Sequence, residues 1–346
     1  MTDVAIIGAP GYAGVELTRL VLGHPDMRLV TVTSGSEVDR RVDDVYPAFS
    51  GLTDLRYVAP DIEAIANTVK VVFLAVPHTA AMEYAAPLLD SGVVVIDASA
   101  DFRLKDVEVY EQWYGVSHAS PDLLAEAVYG LPEMDRTGLA NARLIACPGC
   151  YPTAAILAAL PVLEAGVVSP RGVIIDAKSG VSGAGRTPSA VTHYPSANES
   201  LIAYKVGSHR HTPEIEQGFG MAAGQPSAVT FVPHLVPMSR GMLATVYLRM
   251  RGEESAEEMV ELYRERYADE PFVTVHDAGR MPATSEVRGS NRAHIGLAVD
   301  KDAGLLIATC AIDNLVKGTA GQAIQCANIA LGYEETAGLL QPVPVI

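Results

Sequence analysis

The stretch Val4-Ala-Ile-Ile-Gly8-Ala-Pro-Gly11-Tyr12-Ala-Gly14-Val-Glu-Leu17 decides the fold class of this chain. A short β-rich apolar run passes through G-x-x-G-x-x-G into residues at helical spacing, Leu17, Leu20 and Val21, and Gly23 can end that helix. The glycines permit a tight turn and close backbone approach. The helix start then presents free N–H groups, suited to the pyrophosphate of a dinucleotide. Gly8, Gly11, Tyr12 and Gly14 are therefore candidate cofactor contacts, set against the reading of a glycine-rich turn with no ligand. Further apolar runs at 28–33, 69–76, 93–98 and 143–146 are continuous, as expected of parallel strands covered on both faces. Together they predict a βαβ series and a doubly wound, Rossmann-like parallel sheet.

The end of the second run bears on which dinucleotide fits. An NAD site usually carries Asp or Glu there for the ribose 2′-hydroxyl. Here the segment is Thr31-Val-Thr-Ser34-Gly-Ser36, followed by Arg40 and Arg41, with Glu37 and Asp39 just beyond strand two. Hydroxyls and cations suit a 2′-phosphate, so Ser34 and Arg40 are assigned to NADP.

The second half reads differently. Runs at 172–178, 228–236, 242–250 and 272–276 resemble longer strands, and 293–299 and 305–312 flank the hairpin turn Asp300-Lys-Asp-Ala-Gly304. One acidic helix is expected at 255–267. An α+β domain with a mostly antiparallel sheet, open on one face, is the expectation. A last helix at 319–331 puts Ile324, Ala327 and Leu331 on one face, suited to packing back on the first domain.

Composition narrows the function. A chain of 346 residues is about right for two domains. Its net charge of −16, without a basic stripe, disfavours nucleic acid and anionic lipid as partners. Four cysteines do not make a disulfide scaffold, and no export signal is visible, so a cytoplasmic protein with reduced thiols is expected. Residues 144–163 carry no charge, but Pro148, Gly149, Pro152 and Pro161 interrupt them; they read as a strand, a turn and a core helix rather than a membrane span.

Chemistry enters with Cys147-Pro-Gly-Cys150-Tyr-Pro-Thr153 at a strand-to-helix turn. A thiol at a helix start has its pKa lowered by the dipole and free N–H groups, which makes Cys150 a candidate nucleophile. Cys147 and Cys150 also permit a redox dithiol. A zinc site lacks a second C-x-x-C, because Cys310 and Cys326 are too far apart and read as inert core residues. Ser208-His209-Arg210-His211-Thr-Pro-Glu214 places two imidazoles and an arginine at a loop-to-helix junction, as an acid/base and an anionic substrate would require. His-x-His lacks a third metal ligand nearby, so no metal is expected; His24, His118, His276 and His294 are read as structural. The glycine-rich loop Ser179-Gly-Val-Ser182-Gly183-Ala-Gly-Arg186 suits close contact with a cofactor or reacting group. Arg103, in Ser99-Ala-Asp-Phe-Arg103 after the fourth strand, is a candidate phosphate ligand, with a surface arginine as the alternative.

As a set, 8–14, 99–103, 147–153, 179–186, 208–214 and Asn314-Leu-Val-Lys-Gly318-Thr-Ala-Gly-Gln322 resemble the N-acetyl-gamma-glutamyl-phosphate reductase family over nearly the whole chain. The resemblance implies an NADP-binding domain completed by the C-terminal helix, here 1–149 plus 315–346, and a catalytic and dimerisation domain, here 150–314. It implies Cys150 as nucleophile, Asn314 near the nicotinamide with Gly318 in the same cofactor-side segment, and homodimers or homotetramers. The implied reaction is NADPH-dependent reduction of an acyl phosphate through a cysteine thioester, in arginine biosynthesis. His211, with His209 as the alternative, would be the acid/base, and Arg103 and Arg210 would meet the substrate. The related aspartate-semialdehyde dehydrogenases typically have Asn before the nucleophile, where this chain has Gly149. A reductase for the substrate one methylene longer is a closer rival, since a methylene is worth only ~1–3 kcal/mol in a pocket. A redox-sensing dinucleotide-binding protein using Cys147 and Cys150 is the reading from a different class.

Overall fold

The computed structural model describes residues 1–343 and forms two compact units. The first contains Met1–Pro148 and Thr319–Gln341; the second is built from Gly149–Gly318.

The first unit holds β1 (Thr2–Ile7), β2 (Met27–Thr33), β3 (Tyr57–Val58), β4 (Val71–Leu74), β5 (Val94–Asp97), β6 (Val128–Tyr129) and β7 (Leu144–Ala146). They form a seven-stranded sheet ordered β3-β2-β1-β4-β5-β7-β6, parallel throughout. Because β1 pairs with both β2 and β4, the strand order reverses beside β1, the place where open α/β sheets bind ligands. The continuous apolar runs have their expected cause: Val71–Leu74 and Leu144–Ala146 are buried at every residue. The two-residue strands β3 and β6 are too short to leave a periodic signal. The Gly321–Ala330 helix belongs to this unit, although it is remote in sequence. Gln322 Nε2 donates to the Gly130 carbonyl at 2.8 Å, and Asn328 Oδ1 lies 2.9 Å from His24 Nε2.

The second unit holds β8 (Arg171–Gly180), β9 (Ile202–Ala203), β10 (Ala228–Val236), β11 (Met242–Arg249), β12 (Val273–Val275), β13 (Ala293–Asp300) and β14 (Leu305–Ile312), in the order β12-β13-β14-β11-β8-β10-β9. Pairs β8–β10 and β12–β13 are parallel and the rest antiparallel, so the sheet is mixed, with antiparallel pairs in the majority. Alternation is visible where one face is covered: Val173, Ile175 and Ala177 are buried, while Ile174, Asp176 and Lys178 are not. The covered face packs on the Cys150–Glu164 helix, which is buried on all sides from Tyr151 to Leu163. That accounts for its uncharged sequence, and no helix among the described residues is long and apolar enough to cross a membrane. Tyr263 and Tyr267, at the end of the acidic Ala256–Arg266 helix, donate to the carbonyls of Ala158 and Leu157 at 2.5 and 2.7 Å.

Candidate functional site: a glycine cradle and a cysteine at a helix start

In the first unit the chain leaves β1 at Gly8, with φ +87°, a conformation L side chains rarely adopt. A Cβ on Gly8 would lie 2.5 Å from the Ala75 carbonyl oxygen, and one on Gly14 would lie 2.6 Å from Ala9 Cα. Both positions require glycine. Gly11 caps the Tyr12–Leu22 helix without a side-chain cap, and no acidic residue stands in the first turn. The first N–H groups of that helix therefore lack an intrahelical partner, an arrangement that fits an anionic pyrophosphate. Tyr12 is the first helical residue and is part-exposed.

Ser34 is buried, and its Oγ accepts the N–H groups of Ser36 and Glu37 at 3.1 and 2.9 Å. Arg40 is paired with Glu37 at 2.6 Å, and Arg41 with Asp43 and Asp54 at 2.8 and 2.9 Å. The cations are where the sequence puts them, but each sits on a carboxylate. A bound 2′-phosphate would exchange one of these partners.

The 99–103 segment is a buried polar knot. Asp101 accepts the N–H groups of Thr79 and Ala81 at 2.7 and 2.9 Å and the Tyr110 hydroxyl at 3.0 Å. Thr79 is held at φ +76°, unusual for a β-branched residue. Asp97, at the end of β5, is pushed up to about 7, first by burial and then by the neighbouring Asp101 charge. Arg103 is buried, with Nε donating to the Cys147 carbonyl at 2.7 Å and Nη2 to the Ala98 carbonyl at 3.1 Å. The sequence offered Arg103 for a phosphate, with a surface arginine as the alternative; in the fold it is buried, and these two nitrogens meet backbone carbonyls. Cys147 is wholly buried, and its thiol is pushed up by its hydrogen bond with Cys326 and by burial. That disfavours the thiolate a dithiol switch needs.

In the second unit Cys150 is the first residue of the Cys150–Glu164 helix, partly exposed, with Gly149 as N-cap. Three contacts hold this turn. Thr153 N and Oγ1 both donate to the Gly149 carbonyl, at 2.9 and 3.0 Å. Gly149 N–H donates to Glu214 Oε1 at 2.9 Å. Gly318 lies so close that a Cβ on it would be 2.7 Å from Cys150 Cβ. Pro152 occupies the first turn without disrupting it.

Around Tyr151, the residue after the cysteine, aromatic rings converge: His209 at 5.6 Å, His211 at 5.9 Å and Phe231 at 5.2 Å between centroids. The Tyr151 hydroxyl donates to the His234 carbonyl at 3.0 Å and receives the Tyr204 hydroxyl at 3.2 Å. His209 is pushed down to about 4, chiefly by burial and then by the Lys205 and Arg210 charges. Its Nδ1 accepts the His211 N–H at 3.1 Å, which places its ring proton on Nε2. His211 is the N-cap of the Thr212–Ala223 helix, the same helix whose first turn carries Glu214. Arg210 lies between the two histidines and is half-buried.

Ser182 and Gly183 lie in the one-turn helix Val181–Ala184. Asn314 bridges that loop to the next: Nδ2 donates to Ser182 Oγ at 3.0 Å, and Oδ1 accepts Gly241 N–H at 2.7 Å. Beside it Asp313, wholly buried, takes a bidentate Arg240 at 2.7 and 2.9 Å and also accepts N–H groups from Gly289, Leu315 and Val316. Glu214, Asp101 and Asp313 were not assigned roles from sequence, since a lone acidic residue carries no signal of what it will cap. Away from this site, His276, Glu286 and His294 converge, with both rings within 3.3 Å of Glu286 Oε2 and Arg280 at 3.5 Å from Oε1. The histidines read as structural are here hydrogen-bonded to a carboxylate that also faces a guanidinium.

Residues 3–142 match the family model described as "Semialdehyde dehydrogenase, NAD binding domain", and residues 150–314 match "Semialdehyde dehydrogenase, dimerisation domain". Two curated relatives, each named N-acetyl-gamma-glutamyl-phosphate reductase, come from Symbiobacterium thermophilum and Halorhodospira halophila. They are 50% and 51% identical over 343 and 342 residues, covering 99% and 98% of this chain and 98% of each relative. Among solved structures, aspartate semialdehyde dehydrogenase II of Vibrio cholerae, complexed with ASA, superposes with TM-score 0.74 at 16% identity over 96% of this chain and 98% of that one. The Candida albicans aspartate semialdehyde dehydrogenase with NADP gives 0.69 at 14% identity, over 95% and 98% of the two chains. At those identities the likeness is one of fold.

Proposed function

This chain belongs to the N-acetyl-gamma-glutamyl-phosphate reductase family, and from that premise we propose that it reduces N-acetyl-L-glutamyl 5-phosphate to the 5-semialdehyde, a step of arginine biosynthesis. The observation that carries this reading is Cys150 at the first position of a buried helix, braced by Gly149, Glu214 and Gly318. In this proposal Cys150 Sγ attacks the acyl carbonyl, the C–O bond to phosphate breaks, and phosphate leaves a thioester on the enzyme. Bound NADPH would supply hydride to that thioester carbon. The resulting alkoxide re-forms a carbonyl as the C–S bond breaks, and Cys150 leaves as thiolate. The covalent thioester keeps the acyl carbon on the enzyme and splits the reaction into an acyl transfer and a hydride transfer.

The proton work falls to His211. His209, neutral down to about pH 4 and tied at Nδ1 to the His211 backbone, is suited to orienting its neighbour. Arg210 and Arg103 are the proposed partners of the substrate's anionic groups. Gly8, Gly11, Tyr12 and Gly14 would hold the pyrophosphate, Ser34 and Arg40 the 2′-phosphate, and the Ser182–Gly183 turn, with Asn314 and Gly318, the nicotinamide side. The cofactor proposed is NADP, carried mainly by Met1–Pro148 with Thr319–Gln341, while Gly149–Gly318 carries catalysis and self-association. A homodimer or homotetramer in the cytoplasm is the proposed form.

The test runs the reaction backwards with phosphate, NADP and N-acetylglutamate 5-semialdehyde, beside the aldehyde one methylene longer. The expected result is turnover with the shorter aldehyde favoured, abolished by Cys150→Ser with NADPH binding retained. A Cys150→Ser protein that still turns over would remove the nucleophile, and a preference for the longer aldehyde would reassign the substrate.

A further inference from the structure

We propose that Glu214 is a positioning residue that sets the distance between the Cys150 thiolate and the His211 imidazole by tying together the two helix starts that carry them. The proposal deepens the reading above and rests on it.

Glu214 is 1% exposed, yet its Oε1 accepts the N–H of Gly149 at 2.9 Å. Gly149 is the residue immediately before Cys150 and the N-cap of its helix. Glu214 itself stands in the first turn of the Thr212–Ala223 helix, and His211 is the N-cap of that helix. One short, buried contact therefore locks the residue before the thiol to an element whose first residue follows the imidazole. A carboxylate in a helix first turn is favoured by the dipole, so the anchor is stable where it stands. Gly318, whose added Cβ would lie 2.7 Å from Cys150 Cβ, leaves that residue little room to move. Proton transfer between sulfur, imidazole and substrate depends on separations of a few tenths of an ångström. A group that fixes the separation affects turnover without touching substrate.

The experiment compares Glu214→Ala with Glu214→Gln, which keeps an oxygen to accept the Gly149 N–H. For Glu214→Ala, kcat is expected to fall about 10- to 100-fold with KM within about threefold, and Cys150 alkylation by iodoacetamide at pH 7 to slow. Glu214→Gln is expected to recover most of both losses. In a His211→Asn background, the kcat loss from Glu214→Ala should largely vanish, because the distance being set no longer matters. A purely structural residue would give losses that multiply across the two backgrounds and follow the fall in melting temperature. Equal damage from Ala and Gln, or an unchanged kcat and alkylation rate in a folded Ala variant, would overturn the proposal. Alkylation needs no substrate, so if the reductase reading fails instead, no variant reduces the acyl phosphate while the alkylation ranking still stands.

Discussion

Gly318 shows how little room surrounds Cys150. A methyl group there would meet Cys150 Cβ at 2.7 Å and its Cα at 3.1 Å, so backbone must move. Gly318→Ala is expected to lower stability by about 1–3 kcal/mol and to cut kcat more than it raises KM, as melting and steady-state assays would report. His209 carries a pH signature. Its folded pKa of about 4 lies below the ordinary 6.5, so the native state binds fewer protons than the unfolded state between those values. Stability from this group is complete above pH 6.5 and is lost as pH falls through 4, by about 3 kcal/mol. Denaturant titrations from pH 7 to 4 should show that slope and find it flattened in His209→Phe. Asp97 titrates in the opposite sense: its folded value of about 7 exceeds the ordinary 3.8, so the native state keeps a proton that the unfolded state releases, and stability falls as pH rises through that window. Cys147→Ser should leave turnover within about threefold, since its thiol is buried and held protonated; a large loss would revive the dithiol reading.

At the scale of elements, the buried Asp313 gathers pieces far apart in sequence: Arg240 before β11, Gly289 before β13, and the amides that follow β14. Asp313→Ala would leave the Arg240 guanidinium and those amides without their acceptor, and is expected to cost about 3–5 kcal/mol in urea unfolding. Strands and helices long enough to show a period were legible in advance, among them β10, β14 and the Ala256–Arg266 helix with its Ser255–Glu258 capping box. The two-residue strands β3, β6 and β9 were not, because two residues carry no period and their pairing is set by the neighbour they meet. The parallel pairing of β8 with β10 was equally hidden, since neither strand encodes the direction of its partner.

For the molecule as a whole, a net charge of −16 means self-repulsion at low ionic strength. Melting temperature is expected to rise as NaCl goes from about 10 to about 150 mM, where the Debye length shortens to ~8 Å; a flat response would mean the charges are well dispersed. Sequence alone determined the class of each half, the glycine cradle, and the thiol placed at a helix start, because period, glycine spacing and proline position are local properties that short-range sterics enforce. It also marked the histidine pair. Only tertiary structure decided that Arg103 holds the Cys147 carbonyl, that Arg40 rests on Glu37, that Asn314 ties two loops, and that Glu214 reaches Gly149. The reason is physical: a side chain's type states what it can donate or accept, and only the packed fold states which partner comes within about 3 Å.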